Sequence, residues 1–350
     1  MICAKGAGAS GESDVAAGGA AEPFDFRIGR RVQVGVRARY PVAESISVTR
    51  LMAQLYAITT IWNPAGYESR SRLYKEFAKH IEKSGVDLFT VELVSAHQDF
   101  VVTEANNPRH IQLRTSHVLW YKENLVNVAI ARLPKDWEYV AWLDADIHLM
   151  RSDWPERTIA ELRRHALVQM FSHVVDLGPN FEILKTREGF AYLAAAGAAG
   201  EVGVRGEPGY AWAARRSAFE AVGGLIDWSV MGSNDYFMAL GLAGAMTEDA
   251  TRMPGSNYAA MLLRWQDRCR KHIGGDIGYV GNAIAHFWHG RRKDRGYDSR
   301  WKVLVENDFD PAIDLTRDAD GLLGLSDRKP ALRRAIEDYF HSRNEDSTER

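Results

Sequence analysis

The 350-residue sequence has little of what defines several large protein classes. With only two cysteines, Cys3 and Cys269, it has no disulfide framework, and we expect a reducing compartment. No uncharged apolar run reaches the length of a membrane span, and the first residues lack the apolar core of a signal peptide. We therefore expect a cytoplasmic or nuclear protein without a membrane anchor.

The sequence also lacks an excess of charge of one sign, because its 44 Lys and Arg residues are balanced by 46 Asp and Glu residues. The formal net charge of −2 excludes the chain-wide positive field that drives nonspecific nucleic-acid binding, although local basic clusters remain possible. The sequence contains no Gly-x-Gly-x-x-Gly motif and no Walker-type phosphate loop. A bound nucleotide would therefore have to be held differently.

Strands and helices alternate through the first half of the chain. The apolar and β-branched runs predict strands at Leu55–Trp62, Asp87–Ser95 and Glu138–Leu143. Apolar residues at helical spacing predict helices over Tyr67–Ser84 and Val118–Leu133. This alternation predicts an α/β fold, a Rossmann-like and mainly parallel sheet flanked by helices.

The second half is richer in Trp, Gly and Arg and is expected to complete the active site. The same reasoning predicts four helices and one strand there: Arg215–Val222, Asn234–Gly244, Tyr258–Lys271, Pro330–Tyr339 and the strand Ile277–Trp288.

Composition divides the chain into three regions. Residues 1–23, rich in Ala and Gly, predict a disordered tail. Residues 24–306 are expected to form one domain, with a donor-binding half at about 50–175 and an acceptor half at about 176–306. Residues 307–350 are predicted to form a helical extension that ends in a polar tail.

Two carboxylates, Asp144 and Asp146, directly follow an apolar strand. They are therefore placed at the carboxyl end of the strand, the edge at which open parallel sheets bind ligands. Carboxylates are suitable ligands for Mg²⁺ or Mn²⁺, and such an ion can bridge to a diphosphate. A solvated acidic loop is the alternative, because Asp-x-Asp is a short and common pattern. The strand context favours a metal site.

A second group consists of His286, His289 and the basic run Arg291 to Lys293. Imidazole binds Mn²⁺-type ions, and Arg291 is expected to contact diphosphate oxygens. Because two residues three apart in a strand face opposite sides, we expect only one histidine to be a ligand and prefer His289. A purely structural role is the alternative for either histidine.

Asp235 lies at the predicted start of a helix, after a segment of small and aromatic residues that begins at Gly209. Such a segment can form a shallow wall against a sugar ring. An accessible carboxylate at that place can act as a general base. It can equally be a helix cap, and the two roles are compatible.

These motifs occur in a fixed order: the helix with Lys122, the strand that ends at Asp144, the segment Gly209–Gly224, and Trp288-His289-Gly290-Arg291. Over roughly residues 52–295 the chain resembles GT-A-fold glycosyltransferases, with a galactosyltransferase-like C-terminal motif. The resemblance implies a metal-dependent enzyme that uses Mn²⁺ or Mg²⁺. Its donor would be a nucleotide sugar, most simply a UDP-sugar, and its acceptor a hydroxyl group.

The resemblance also implies roles for individual residues. Asp144 and Asp146 match the metal- and ribose-binding pair, His289 matches the late histidine ligand, and Asp235 matches the acidic base. Inverting members have two acidic residues where this chain has Asn234-Asp235, which leaves the base and the stereochemical outcome open. The implied nucleotide contacts are Thr59, Thr60, Asn63, Lys122 and Asn127, together with Arg70 and Arg72 as phosphate or base contacts.

The acceptor and the reaction class have alternatives. The acceptor can be a glycan, a small molecule or a modified DNA base, as in phage and base-J-type DNA glucosyltransferases, because Arg30-Arg31 and the run from Arg291 are basic. A nucleotidyltransferase also uses an acidic metal pair, but Asn63-Pro64-Ala65-Gly66 is a poor substitute for its Gly-rich loop. A non-catalytic carbohydrate-binding protein has only the ten tryptophans in its favour.

Overall fold

Thirteen strands in three sheets make up the β-structure of the computed structural model, which describes residues 54–197 and 205–349. The predicted tail at residues 1–23 lies outside the described residues. In chain order the strands are β1 (Leu55–Trp62), β2 (Asp87–Ser95), β3 (His110–Thr115), β4 (Tyr139–Leu143), β5 (Ile147–Leu149), β6 (Leu167–Gln169), β7 (His173–Leu177), β8 (Ile183–Glu188), β9 (Ala211–Arg215), β10 (Ile277–Tyr279), β11 (Ala283–His286), β12 (Leu315–Arg317) and β13 (Leu323–Leu325).

The central sheet has seven strands in the order β10-β6-β9-β4-β1-β2-β3. All its neighbouring strands run parallel except β9, which is antiparallel to both β4 and β6. The predicted α/β class with a mainly parallel sheet is confirmed. Strands β9 and β10 belong to the proposed acceptor half, so both halves contribute to one sheet.

Helices pack around this sheet. They are α1 (Glu68–Glu82), α2 (Lys122–Ile130), α3 (Trp154–Leu162), α4 (Phe190–Ala195), α5 (Arg216–Val222), α6 (Asn234–Ala243), α7 (Asn257–His272), α8 (Lys302–Glu306), α9 (Pro311–Asp314) and α10 (Pro330–Ser342). Among the described residues, no helix is both long and apolar enough to cross a membrane.

Alternating residues of β1 enter two different hydrophobic clusters. Tyr56 and Ile58 pack in the larger cluster, and Leu55 and Ala57 pack in the smaller one. Successive side chains of a strand point to opposite faces, so both faces of the sheet are covered. This double burial explains why β1 reads as a nearly continuous apolar run.

Two predicted elements differ from the observed ones. The predicted helix Val118–Leu133 is observed only over Lys122–Ile130. Before it, the Trp120 N–H donates to the Val230 carbonyl at 2.9 Å instead of to a helical carbonyl. The predicted strand Ile277–Trp288 is two strands in two different sheets, separated at Gly281-Asn282. Strand periodicity cannot detect a change of sheet at a turn.

A second sheet has four strands in the order β5-β11-β7-β8. Its first strand in the chain, β5, directly follows the two carboxylates. Strand β5 starts at Ile147 and pairs antiparallel with β11, so that Ile147 is opposite His286. The Phe287 N–H also donates to the Asp146 carbonyl at 2.9 Å. This pairing brings the two candidate metal motifs together from positions 140 residues apart in the chain.

Candidate active site

A cavity of about 370 Å³ opens where β1 and β4 end. Its wall includes Thr60 after the middle of β1, Lys122 at the start of α2, Asp144 and Asp146 after β4, and Asp235 at the start of α6. Ligands bind at this carboxyl edge in open α/β sheets, and the volume falls within the usual range for small-molecule sites.

Asp146, His286 and His289 form a cluster in which one donor atom of each lies within 4.8 Å of the others. The His289 Nε2 lies 3.0 Å from Asp146 Oδ2 and 3.2 Å from His286 Nε2. Burial alone would raise the pKa of Asp146, but His289, His286 and Arg295 hold it below its usual value. The carboxylate is therefore ionised and faces two imidazole nitrogens.

The far nitrogen of each histidine faces a second carboxylate. His286 Nδ1 is 2.9 Å from Asp176 Oδ1, and His289 Nδ1 is 3.8 Å from Glu345 Oε2. Carboxylates behind histidine ligands orient the rings and select the tautomer whose free nitrogen faces the metal. Burial lowers the pKa of His286, although Asp176 and Asp146 oppose that effect. A neutral imidazole is the form that binds metal.

The sequence-based argument for a single histidine ligand was wrong in its premise. It assumed a continuous strand through Trp288, but β11 ends at His286. Beyond that residue the chain leaves the sheet and brings His289 back beside His286, with ring centroids 5.3 Å apart.

Asp144 lies outside this cluster of three. Its Oδ1 pairs with Lys122 Nζ at 2.6 Å, and its main-chain N–H donates to the Tyr210 carbonyl at 2.8 Å. Burial raises the pKa of Asp144 and Asp146 adds to this, while Lys122 lowers it. Both Asp144 and Lys122 line the cavity, so the predicted metal or ribose role of Asp144 stays a prediction that the geometry permits.

Asp235 lines the cavity in the first turn of α6, whose N-cap residue is Ser233. Because Ser233 is the N-cap, Asp235 does not occupy that position. The Asp235 Oδ1 accepts a hydrogen bond from the N–H of Tyr236 at 2.9 Å. The neighbouring Asn234 donates to Glu123 Oε2 at 2.6 Å. Position 234, next to Asp235 in the chain, carries an amide and not a second carboxylate. The buried Glu123 of α2 places a carboxylate there from a distant part of the chain.

The remaining implied contacts divide into two groups. Thr60 and Arg70 line the cavity, and Arg70 pairs with Glu345 at 2.6 Å. The wall does not include Thr59, Asn63, Asn127 or Arg291, so we leave these four out of the proposed site.

Each of these four side chains is engaged elsewhere. Thr59 donates to the Leu143 carbonyl at 2.9 Å, Asn63 bonds the main chain of Tyr67, and Asn127 donates to the Leu225 carbonyl at 3.0 Å. Arg291 pairs with Asp294 at 2.9 Å and with Glu349 at 3.2 Å.

Sequence reasoning missed Glu345, which lies in the segment predicted as a polar tail. Its side chain is 1% exposed and pairs with Arg70 and Arg343. Burial would raise the pKa of Glu345, but Arg70, Arg343 and His289 hold it well below its usual value. No local pattern distinguishes a buried glutamate from a solvated one, so no sequence signal pointed to it.

Three non-glycine residues beside the cavity have left-handed backbones, Tyr210 with φ 72°, Ser233 with φ 70° and Arg252 with φ 66°. Such conformations are costly and often occur at functional sites. Gly209 precedes Tyr210, and a Cβ atom at that position would lie 2.8 Å from Asp235 Oδ2. The loop before β9 and the start of α6 are therefore closely fitted around the Asp235 carboxylate.

No model of a known protein family matches the sequence, and no curated protein matches it. Among solved structures, the catalytic domain of Drosophila β1,4-galactosyltransferase 7 in complex with xylobiose matches at 13% identity and a TM-score of 0.29. The match covers 56% of this chain and 63% of that one. A mutant of the Drosophila enzyme in complex with manganese, UDP-Gal and xylobiose matches at 13% identity and a TM-score of 0.30, covering 55% and 63%.

S. aureus TarS in complex with UDP-GlcNAc matches at 10% identity and a TM-score of 0.40. The match covers 68% of this chain and 60% of TarS. This chain thus spans less than two thirds of the length of each of these proteins. At such TM-scores the likeness carries no argument about activity, and the assignment has to come from the residues of this chain.

Proposed function

We propose that this protein is a metal-dependent glycosyltransferase of the GT-A type. It transfers a sugar from a nucleotide-sugar donor, most simply a UDP-sugar, to a hydroxyl group of an acceptor. One observation carries the proposal: Asp146, His286 and His289 converge at the carboxyl edge of a parallel sheet, in the cavity that also contains Asp235.

The cluster fits a divalent cation. Asp146 Oδ1 is buried without a hydrogen-bond partner among the described residues, His289 Nε2 faces Asp146 Oδ2, and His286 Nε2 faces His289 Nε2. One ligand atom of each of the three residues lies within 4.8 Å of the others, so all three could hold one ion. Carboxylate and imidazole suit Mn²⁺ well, and Mg²⁺ to a lesser degree.

When bound, the ion would neutralise charge on the leaving diphosphate. The residues of the chain supply the other functions. Asp235 accepts the proton of the attacking hydroxyl, and its position in the first turn of α6 leaves its carboxylate open to the cavity. Lys122 holds Asp144 at 2.6 Å and adds positive charge where the donor phosphates would lie.

The test uses donor binding and donor hydrolysis, because water can replace an unidentified acceptor. A thermal-shift screen of nucleotide sugars with and without Mn²⁺ should reveal a donor that raises Tm only when the metal is present. Hydrolysis of that donor should stop on chelation. Binding of a donor without any turnover would instead support a carbohydrate-binding protein. Conversion of the donor to a nucleoside triphosphate and a sugar 1-phosphate when pyrophosphate is added would support a nucleotidyltransferase.

Two variants separate metal binding from proton transfer. Asp146→Asn should lose the metal-dependent Tm shift together with hydrolysis, because it removes the charged ligand. Asp235→Asn should keep the Tm shift and lose hydrolysis by about 10²- to 10⁴-fold. Asp267→Asn, the same change on an exposed residue of α7, serves as the matched control. Full metal-dependent turnover by Asp146→Asn would contradict the proposal.

A further inference from the structure

Two arginines flank the turn that carries Asp235. Arg300 Nη2 donates to Ser233 Oγ at 3.2 Å, and the Arg252 guanidinium lies 5.2 Å from the ring centroid of Tyr236. These contacts are with the residues just before and just after the Asn234-Asp235 pair. Both arginines also line the cavity.

Neither arginine has an acidic partner within 4.0 Å among residues 54–197 and 205–349. Arg300 is only 6% exposed, and its Nε is buried without a hydrogen-bond partner in that part of the chain. The same holds for Nη1 of Arg252. The buried Arg300 guanidinium is unfavourable without a counter-charge, and the partly exposed Arg252 adds a second unpaired cation to the same cavity. The two groups are therefore suited to receive an anion from outside the chain.

Other cations of the cavity are directed to other groups. Lys122 pairs with Asp144, and both Arg70 and Arg343 pair with Glu345. Arg295 is directed to the metal cluster, since its Nη2 donates to the main-chain carbonyl of His289 at 3.4 Å. Arg292 lies over the ring of Tyr297, 4.9 Å from its centroid. Arg252 and Arg300 are instead in contact with the residues beside Asp235.

Aromatic rings cover this pair of arginines. The Arg300 guanidinium lies over the rings of Trp120 and Tyr297, at 5.1 and 4.9 Å from their centroids. Arg252 lies 5.6 Å from the ring centroid of Trp301. The rings hold both planar groups in place, so that each can offer paired N–H donors to an anion.

The pKa of Tyr297 indicates a positive electrostatic potential in this region. Burial would raise the pKa of its hydroxyl, but Arg295, Arg300 and Arg343 together bring it below the usual value. The field of the arginines thus outweighs desolvation at a group that lines the same cavity.

We propose that Arg252 and Arg300 bind an oxyanion, a phosphate or carboxylate group carried by the acceptor, while Asp235 faces the acceptor hydroxyl. The inference deepens the proposed function and rests on it for the identity of the second substrate. It predicts that acceptors with an anionic group are used in preference to neutral ones of the same structure.

The experiment measures oxyanion binding while the donor site is filled. Inorganic phosphate and acetate are each titrated calorimetrically into the full-length protein saturated with Mg²⁺ and UDP, which blocks binding at the donor phosphate positions. We expect at least one of the two to bind, and the tighter one identifies the acceptor group. Arg252→Met and Arg300→Met should each weaken this binding by about tenfold or more.

Arg270→Met on the exposed face of α7 removes the same charge outside the cavity and should bind like the wild-type protein. If Arg300→Met does not fold, Arg300→Lys replaces it, because lysine keeps the charge but loses the planar fork and should also bind more weakly. Absence of binding by both anions, or binding that Arg252→Met and Arg300→Met leave unchanged, would overturn the inference.

The two proposals fail separately. Titration of UDP, and of the other nucleoside diphosphates if UDP does not bind, with Mg²⁺ in the absence of phosphate tests the proposed function alone. If no nucleoside diphosphate binds but phosphate or acetate binding still depends on Arg252 and Arg300, the oxyanion site stands and the proposed function fails. If UDP binds and the anion does not, only the oxyanion site fails.

Discussion

Asp144 and Asp146 are two positions apart but have opposite electrostatic environments. Burial raises the pKa of Asp144, while the histidines and Arg295 lower that of Asp146 despite burial. One carboxylate is neutralised by Lys122, and the other is left to face two imidazoles. The Asp-x-Asp pattern predicted a metal site, but it could not assign different partners to its two members, because those partners come from α2 and from the segment after β11.

Gly209 should control the position of the Asp235 carboxylate. In Gly209→Ala the new methyl group would lie 2.8 Å from Asp235 Oδ2, so the carboxylate has to move. We expect the rate of donor hydrolysis to fall by up to about a hundredfold, since small displacements of catalytic groups are costly. The metal-dependent Tm shift should remain, because Gly209 does not contact the metal cluster.

Gly281→Ala provides the matched control for this substitution. A Cβ atom at Gly281 would have no neighbouring atom within 4 Å, and its backbone is not left-handed. This variant should hydrolyse the donor at the wild-type rate. Equal activity of both alanine variants would show that the Asp235 position is not critical.

At the scale of elements, the chain after α10 returns to the start of α1. Asp346 accepts hydrogen bonds from the N–H groups of Glu68 and Ser69 at 2.9 and 2.8 Å, and so satisfies two free donors of the helix. Trp288 Nε1 also donates to the Ser347 carbonyl at 2.6 Å. The predicted polar tail therefore includes a helix cap and a buried residue of the site.

Replacement of this cap should destabilise the protein. Asp346→Ala is expected to lower the free energy of unfolding by about 1 kcal/mol, measured by urea denaturation at pH 7. Asp338→Ala, on the exposed face of α10, should have almost no effect. An equal effect of the two variants would mean that the cap does not form in solution.

The same variant has an expected pH dependence. Burial would raise the pKa of Asp346, but the N–H groups of Ser69 and Glu68 lower it below its usual value. A lowered folded-state pKa stabilises the protein above the unfolded pKa, and this contribution is lost as the pH falls through the folded value. The denaturation midpoints of wild type and Asp346→Ala should therefore converge below about pH 4.

At the scale of the whole molecule, a histidine pair joins α1 to the second sheet. The rings of His80 and His148 stack with centroids 4.3 Å apart, and His80 Nε2 accepts from the Leu149 N–H at 3.1 Å. Burial and the neighbouring His148 lower the pKa of His80 to about 4. The unfolded chain therefore binds a proton more tightly than the folded one.

Global stability should consequently fall as the pH decreases from 6.5 to about 4, because only the unfolded state gains the His80 proton over that interval. Allowing for partial exposure of the ring, the effect is about 2 kcal/mol. In His80→Gln, which keeps a hydrogen-bond acceptor, the free energy of unfolding should vary less with pH. His97→Gln, on an exposed residue, should preserve the wild-type slope, and identical slopes in all three proteins would refute the prediction.

The central elements were predictable because burial leaves a local pattern. The strand predicted at Leu55–Trp62 has the same first and last residue as the observed β1. The spacing of Leu73, Phe77 and Ile81 correctly predicted a helix with these residues buried. Asp144 and Asp146 do follow an apolar strand. Alternation of strands and helices was likewise sufficient to predict a mainly parallel sheet.

Contacts between distant segments depended on the tertiary structure alone. The antiparallel insertion of β9, the separate sheet of β5 and β11, and the burial of Glu345 have no local signature. The sequence by itself determined which segments form the sheet and where its acidic pair lies, because side-chain periodicity reports local burial. Only the tertiary structure decided that His286 and His289 both meet Asp146, since chain reversals set the distance between remote residues.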